Sequence, residues 1–170
     1  MEKVYLGLGS NVEPERNLRL AVQELGRRFG KLELSSIYRN AALGFVGDEF
    51  LNLVVGFESR ASALEIHETL EEIHCLARRE RGTGRFTSRT LDIDLLLYGA
   101  EIIDAPPVRV PREDILLYSF VLGPLAEIAP LLRHPETGRF VTEHWAEFDK
   151  NSHPLAPISV NLQDAEIKHA

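Results

Sequence analysis

The sequence predicts an α+β fold in which an antiparallel sheet carries two helices on one face. Strand-like and helix-like segments alternate in the order β-α-β-β-α-β, the apolar residues of both helices recur at helical spacing, and 44% of the chain is hydrophobic. This element order is that of the ferredoxin-like fold. A chain of 170 residues is long enough to build one such domain around a single core.

The first half of the pattern comprises three strands and one helix. Residues 4–9, VYLGLG, predict the first strand. Pro14 suits the first turn of the following helix, where its missing N–H does no harm, and Gly30 predicts the end of that helix. Residues 32–38, LELSSIY, and 50–57, FLNLVVGF, predict the second and third strands.

The second half adds a helix and a fourth strand. Ser62 and Glu65 form a capping-box pattern at the start of the helix. Residues 90–99, TLDIDLLLYG, predict the strand, on which alternate side chains point to opposite faces. Asp92 and Asp94 therefore share one face, and the opposite face is predicted to carry Leu91, Ile93, Leu95 and Leu97.

A C-terminal extension is predicted beyond the fourth strand. Residues 102–111 are predicted to be extended, and residues 119–132 to form one or two short helices broken by prolines. From residue 144 the chain turns polar, and we predict a loosely attached tail. The predicted organisation is thus one domain at residues 1–143 and a polar tail at 144–170.

Composition limits the class of protein. The net charge of −7 argues against a general nucleic-acid binder, because such proteins carry a basic surface. No apolar run approaches the roughly 20 residues that span a membrane, and we identify no signal peptide. The single cysteine, Cys75, excludes an internal disulfide and fits a reducing compartment. We expect a cytoplasmic monomer with no nucleic-acid or membrane partner.

A local basic segment contrasts with this acidic background. Residues 78–89, RRERGTGRFTSR, hold five arginines and one glutamate. On the next strand, Asp92 and Asp94 lie two positions, or about 6.6 Å, apart on one face. Two carboxylates at that separation can bind or bridge hard cations such as Mg²⁺, whereas without a cation they would repel and raise each other's pKa.

These residues together indicate a phosphoryl-transfer site, in which carboxylates hold Mg²⁺ and guanidinium groups contact phosphate oxygens. Gly82 and Gly84 would let the arginine segment close over a nucleotide. The segment is not a P-loop, because it lacks the G-x-x-x-x-G-K-[ST] order. Two simpler interpretations stay open at this point: a solvated charged loop, and an amphipathic strand with its polar face in water.

Five motifs carry a family resemblance: LGLGSN (6–11), EFLN (49–52), RTLDIDLLLYG (89–99), VP (110–111) and FVLGPLAEIAP (120–130). In order and spacing they resemble the 6-hydroxymethyl-7,8-dihydropterin pyrophosphokinase family, from residue 4 to about residue 132. The resemblance implies the ferredoxin-like core already predicted. It also implies a folate-pathway transferase that moves the pyrophosphoryl group of ATP to the hydroxymethyl oxygen of a reduced pterin and releases AMP.

The resemblance further implies two Mg²⁺ ions and a set of site residues. Both ions would be held by Asp92 and Asp94, which with Arg79 and Arg89 would form the catalytic group. The implied pterin-binding residues are Asn11, Asn40, Leu43, Phe50, Asn52 and Phe120, with the ring between the two phenylalanines. The implied ATP-binding residues are His74, Arg79, Arg81, Arg85, Arg89 and Arg112.

The chain departs from the family pattern at several positions. The family often has tryptophan, glutamate, histidine and a basic residue where this chain has, respectively, Phe86, His74, Arg112 and Tyr118. These departures keep open a catalytically impaired relative that binds pterin or ATP without releasing AMP. A third interpretation is an RNA-binding module, since ferredoxin-like sheets can stack bases on aromatic side chains. Against it, two carboxylates on the fourth strand would repel a nucleic-acid backbone.

Overall fold

A computed structural model of the chain describes residues 1–40, 49–80 and 91–162, apart from the side chains of Arg79 and Glu80. The predicted order of helices and strands is confirmed, and further elements follow the fourth predicted strand. In chain order the elements are β1 (Glu2–Ser10), α1 (Pro14–Phe29), β2 (Glu33–Leu34), β3 (Ile37–Asn40), β4 (Phe50–Ser59), α2 (Ala63–Glu80), β5 (Asp92–Tyr98), β6 (Ile103–Ala105), β7 (Val108–Val110), α3 (Asp114–Leu117), α4 (Ser119–Ile128), α5 (Val141–Glu147) and β8 (Ala156–Ile158).

The main sheet is antiparallel, with β5, β1, β4, β3 and β8 in that spatial order and β2 paired to β4. The first strand therefore lies between the third and fourth strands of the core, which confirms the ferredoxin-like α+β prediction. The single strand predicted at 32–38 is divided into β2 and β3. The pairing register with β4 shifts by one residue between them, and at this point the Ser35 hydroxyl oxygen accepts a hydrogen bond from the Val54 N–H (2.8 Å).

Two helices, α1 and α2, pack on one face of the sheet, as predicted. The local signals for their ends are confirmed: Pro14 begins α1, Gly30 follows it with φ 83°, and the Ser62 hydroxyl accepts from the Glu65 N–H (3.2 Å). The apolar residues of β1, β4 and β5 that face these helices are almost fully buried. Each fully buried leucine or isoleucine of this layer contributes about 1.5–3 kcal/mol relative to exposure.

The opposite face of the sheet is covered by α3, α4 and α5, which belong to the C-terminal extension. Here one predicted orientation is wrong. Leu97 joins this second cluster with Leu96, and does not share the face of Leu95. The cause is a β-bulge: Leu6 pairs with Leu95 and Tyr5 pairs with Leu97, so Leu96 is an extra residue that resets the alternation.

The prediction of a loosely attached tail at 144–170 is wrong for residues 144–162, which are the part of it that the structure describes. α5 crosses residue 144, β8 pairs with β3, and Leu162 is only 3% exposed in the core. Pairing with a strand more than a hundred residues earlier leaves no local signal in the sequence. The division into a domain at 1–143 and a tail at 144–170 stays a prediction.

Two remaining predictions concern the extension. The extended segment at 102–111 forms the hairpin of β6 and β7. The helical segment that begins at 119 is a single helix, α4, which continues through Pro124. Only the Phe120 carbonyl, four residues earlier, loses its helical donor there. Among the described helices, none is both long enough and apolar enough to cross a bilayer.

Candidate active site

A cavity of about 290 Å³ opens on the sheet face that α4 covers, and its floor is the glycine-containing part of β1. Gly9 is paired with Asn52 of β4 on one side and with Asp92 of β5 on the other. Gly7 in the next row is paired in the same way with Val54 and Asp94. Since glycine carries no side chain, the central strand leaves space between the two flanking strands.

Six of the residues implied by the resemblance line this cavity: Asn40, Phe50, Asn52, Asp92, Asp94 and Phe120. They come from β3, β4, β5 and the start of α4, so the fold gathers side chains that are far apart in the sequence. The cavity has two ends. The amide end contains Asn40, Phe50, Asn52 and Phe120, and the acidic end contains Asp92, Asp94 and Asp114 with Arg112 beside them.

The amide end is fixed by a hydrogen bond between two buried side chains. The Asn52 Nδ2 group donates to the Asn40 Oδ1 atom, and the two residues are 7% and 6% exposed. Phe50 lies on the same face of β4 as Asn52, as predicted from their spacing. Buried amides with defined partners present their remaining donors and acceptors in fixed directions, which suits recognition of a polar heterocycle.

Gly9 is required by this arrangement. A Cβ atom at this position would lie 2.6 Å from the Asn52 Oδ1 atom, which is shorter than any tolerated contact. The corresponding Cβ at Gly7 would meet Leu96 at 3.5 Å, an ordinary van der Waals distance. The two glycines of the LGLGSN motif thus differ in role, because only Gly9 makes room for the amide.

The acidic end collects three carboxylates and one guanidinium group. Arg112 Nη1 lies 3.9 Å from Asp94 Oδ1, and its Nη2 lies 3.3 Å from Asp114 Oδ2. Burial raises the pKa of the Asp94 carboxyl above its ordinary value, Arg112 opposes this rise, and the Asp92 and Asp114 carboxylates add to it. The negative charge of ionised Asp94 is therefore only partly balanced by positive charges in the described part of the chain, as expected of a cation ligand.

The chemistry of these groups fits Mg²⁺, which prefers oxygen ligands and is commonly bound by one or two carboxylates together with substrate phosphates. Within residues 1–40, 49–80 and 91–162, no three His, Cys, Asp or Glu side chains form a group able to hold a metal ion. Asp92 and Asp94 would therefore supply part of the coordination, with phosphate oxygens and water as the other ligands.

His74, implied as an ATP contact, already has partners within the chain. The ring is 9% exposed, its Nε2 atom accepts a hydrogen bond from the Ile93 N–H (2.9 Å), and its Nδ1 atom lies 3.3 Å from Glu71. β5 is an edge strand, so the Ile93 N–H points away from β1 toward α2. His74 thus holds the strand that carries both aspartates, and its contact with ATP stays a prediction.

Other implied residues are placed less fully. Leu43, Arg81, Arg85 and Arg89 and the side chain of Arg79 lie outside the described residues. Asn11 directly follows β1, and its Oδ1 atom is buried without a hydrogen-bond partner among the described residues.

Among the lining residues that sequence reasoning missed, four matter most for the arrangement of the site: Gly7, Gly9, Asp114 and Tyr118. The alternation of glycines in LGLG, which places both on one face of β1, was the available signal for the floor. Asp114 lies two residues after Arg112, but only the fold shows that both approach Asp94. At Tyr118 the sequence indicates only the absence of a basic residue, whereas in the structure its ring stacks on Phe120 with centroids 5.0 Å apart.

The fold and the cavity define a class of protein, an α+β enzyme in which a small polar ring and a phosphorylated, cation-bound substrate can meet. Residues 5–130 match the family described as 7,8-dihydro-6-hydroxymethylpterin-pyrophosphokinase (HPPK). The chain belongs to this family.

Relatives and solved structures agree with this assignment. The chain is 33% identical to the 2-amino-4-hydroxy-6-hydroxymethyldihydropteridine pyrophosphokinase of Pseudomonas aeruginosa, over 84% of this chain and 90% of that protein. It is also 33% identical to the protein of the same name from Haemophilus influenzae, over 87% and 94%.

Two crystal structures show the same fold. One is an HPPK-DHPS in complex with substrates, with a TM-score of 0.73 at 11% identity over 88% of this chain. The other is the wild-type HPPK-DHPS of Plasmodium falciparum, with a TM-score of 0.70 at 12% identity over 96% of this chain. The chain spans 44% and 47% of those longer chains, respectively.

Proposed function

We propose that this protein transfers the pyrophosphoryl group of ATP to the hydroxymethyl oxygen of 6-hydroxymethyl-7,8-dihydropterin, giving the pterin diphosphate and AMP in folate biosynthesis. The observation that carries the proposal is the meeting, in one cavity, of a buried amide pair with a carboxylate pair across the glycine floor of β1. Membership of the HPPK family supports the same reaction.

The amide end would bind the pterin. Phe50 and Phe120 supply aromatic faces for a flat ring, and the Asn52 amide supplies hydrogen bonds to its polar edge. Asn52 and Asp92 are separated by two strand spacings, or about 10 Å. That distance accommodates a bicyclic ring whose hydroxymethyl oxygen is directed toward the carboxylates.

The acidic end would bind the triphosphate of ATP. Asp92 and Asp94 would hold two Mg²⁺ ions, which when bound neutralise phosphate oxygens and align the attacking oxygen with the β-phosphorus. Arg112 lies close enough to Asp94 to contact the same phosphates. Arg79, Arg81, Arg85 and Arg89 are proposed as the remaining phosphate ligands on the basis of the family resemblance.

The direct test is the release of AMP from ATP with Mg²⁺ and 6-hydroxymethyl-7,8-dihydropterin. The natural chain should release AMP only when the pterin is present, and Asp94→Ala should lose this activity. Asp104→Ala is the matched control, because Asp104 is an exposed carboxylate on β6 outside the cavity. Pterin-dependent AMP release that persists in Asp94→Ala would contradict the proposed role of the carboxylate pair.

The two alternative functions make different predictions in this assay. A catalytically impaired relative would bind pterin or ATP but release no AMP. An RNA-binding module would need an open sheet face, yet α4 covers the face that carries the aspartates. In a binding assay, nucleotide binding that depends on Mg²⁺ would also favour the transferase over the RNA-binding module.

A cytoplasmic location and a monomeric state belong to the same proposal. The Cys75 thiol is exposed, which fits a reducing compartment. Sedimentation of the purified chain would test the monomer directly.

A further inference from the structure

We propose that the C-terminal segment, residues 149–162, supports the pterin end of the active site from outside the cavity, and that His153 is a positioning residue for the aromatic wall formed by Tyr118 and Phe120. The inference rests on the proposed function, since it concerns binding of the pterin. The segment lies beyond residues 5–130, which are the part of the chain that matches the family.

The segment is attached to the domain at several points along its length. β8 pairs with β3, with Tyr38 opposite Pro157 and Arg39 opposite Ala156. Leu162 is buried in the core between the sheet and α1 and α2. At the other end, the Ser119 hydroxyl donates a hydrogen bond to the His153 carbonyl, and Ser119 is completely buried. The segment thus runs from the start of α4 around the β3 edge of the sheet.

Ser119 is the first residue of α4, and the helix carries Phe120 immediately after it. Only Tyr118 separates α3 from α4, and its extended backbone (φ −124°, ψ 130°) sets the direction in which α4 begins. The far end of α4 is anchored separately: Glu127 accepts hydrogen bonds from the Tyr38 hydroxyl (2.6 Å) and from the Ser36 hydroxyl (2.8 Å). The C-terminal segment therefore anchors the end of α4 that lines the cavity.

Three aromatic rings connect the segment to the cavity. The His153 ring lies 5.8 Å from the Tyr118 ring at an angle of 50°, and the Tyr118 ring is stacked on the Phe120 ring at 14°. Tyr118 and Phe120 both line the cavity, whereas His153 contacts Tyr118 and is not a lining residue. A substitution at His153 should therefore alter pterin binding only by shifting the Tyr118 and Phe120 rings.

This arrangement predicts a selective effect on pterin binding. Loss of one aromatic pair should raise the dissociation constant for the pterin by about three- to tenfold. The acidic end makes its described contacts within β5 and the segment 112–114, so the dissociation constant for Mg²⁺-ATP should change by less than about twofold, since distant sites are nearly independent.

The experiment uses the full-length chain and measures pterin binding by calorimetry in the presence of Mg²⁺ and a non-hydrolysable ATP analogue. His153→Ala should weaken pterin binding, and Ser119→Ala should act in the same direction. His153→Phe keeps a ring against Tyr118 and should bind pterin nearly as the natural chain does. Asn151→Ala is the matched control, because Asn151 is exposed in the preceding turn.

Three outcomes would overturn the inference. One is a pterin dissociation constant in His153→Ala equal to that in Asn151→Ala. Another is parallel weakening of pterin and ATP binding together with a lowered melting temperature, which would indicate general destabilisation. The third is a failure of His153→Phe to restore binding. If the unmutated chain does not bind the pterin at all, the proposed function itself fails, and that result is distinguishable because it involves no variant.

Discussion

The two ends of the cavity are built on different physical principles. At the amide end, a buried hydrogen bond joins Asn52 to Asn40, and Gly9 leaves the space that the Asn52 amide needs. At the acidic end, Asp92, Asp94 and Asp114 lie near one another, and Arg112 is in contact with Asp94 and Asp114. Among the described residues, the amide end is held in place by its own hydrogen bond, whereas the acidic end has three carboxylates and one guanidinium group.

This difference suggests that the two ends bind different parts of the substrates. A preorganised end binds a neutral ring with little loss of conformational freedom, because its side chains are already held in place. An end with excess negative charge binds Mg²⁺ and phosphate together, because carboxylates and phosphates repel one another unless cations lie between them. We therefore expect substitutions at the two ends to affect different steps.

The largest expected effect comes from the acidic end. Asp92→Asn keeps the shape of the side chain but removes its charge, so turnover should fall by about 10²- to 10³-fold or more. The pterin dissociation constant should stay within about twofold, since the amide end is unchanged. Single-turnover kinetics and calorimetry measure the two quantities on the same preparation. Loss of pterin binding equal to the loss of turnover would show that the two ends are not separable. Asp104→Asn is the control.

The second effect comes from the amide end. In Gly9→Ala, the new methyl group would displace the Asn52 amide, and the pterin dissociation constant should rise by about 10- to 100-fold through lost hydrogen bonds. The dissociation constant for Mg²⁺-ATP should change much less. Gly7→Ala should have a smaller effect, because its methyl group meets Leu96 at an ordinary distance. Equal effects of the two substitutions would refute the special role of Gly9.

The two ends also differ in how far the sequence predicted them. The pair Asp92 and Asp94 followed from strand alternation, and Phe50 with Asn52 followed from the same rule on β4. The rule failed at Leu97, where a bulge inserted one residue into the alternation. Such a bulge depends on pairing with β1 and has no local signature.

Long-range partners were the other source of error. His74, whose contact with ATP stays a prediction, also accepts a hydrogen bond from the Ile93 N–H of the edge strand, which its position in the sequence does not indicate. The attachment of residues 149–162 through β8 and His153 likewise depends on β3 and α4, which are distant in the sequence. Local sequence patterns predict which side chains share a face of a strand and where a helix begins or ends, whereas these contacts form only when the chain has folded.

A third prediction concerns stability and tests the acidic end without activity. Because the folded-state pKa of Asp94 is raised above its ordinary value of 3.8, the folded chain binds this proton more tightly than the unfolded chain, so ionisation costs stability. This loss of stability is absent at pH values below the ordinary pKa and fully present at pH values above the folded-state pKa. Without Mg²⁺, Asp94→Asn should therefore melt a few degrees higher than the natural chain at pH 7, and the difference should disappear in strong acid.

Added Mg²⁺ provides the control for that measurement. A cation that binds only the folded state stabilises it more as the cation concentration rises relative to its dissociation constant, so Mg²⁺ should raise the melting temperature of the natural chain more than that of Asp94→Asn. Scanning calorimetry over a pH series, with and without Mg²⁺, measures both effects. A variant less stable than the natural chain at pH 7 without Mg²⁺ would mean that the contact of Asp94 with Arg112 outweighs the burial of its charge.

The smallest expected effect concerns Gly26, a glycine that lies outside the cavity. Gly26 lies within α1, and a Cβ at this position would meet nothing within 4 Å. Gly26→Ala should stabilise the fold by about 0.5–1 kcal/mol, because alanine loses less conformational entropy than glycine in a helix. Chemical denaturation measures the gain, and the dissociation constants for pterin and ATP should not change. A changed pterin affinity would contradict this by coupling α1 to the site through the sheet, and a loss of stability would contradict the expected entropic gain.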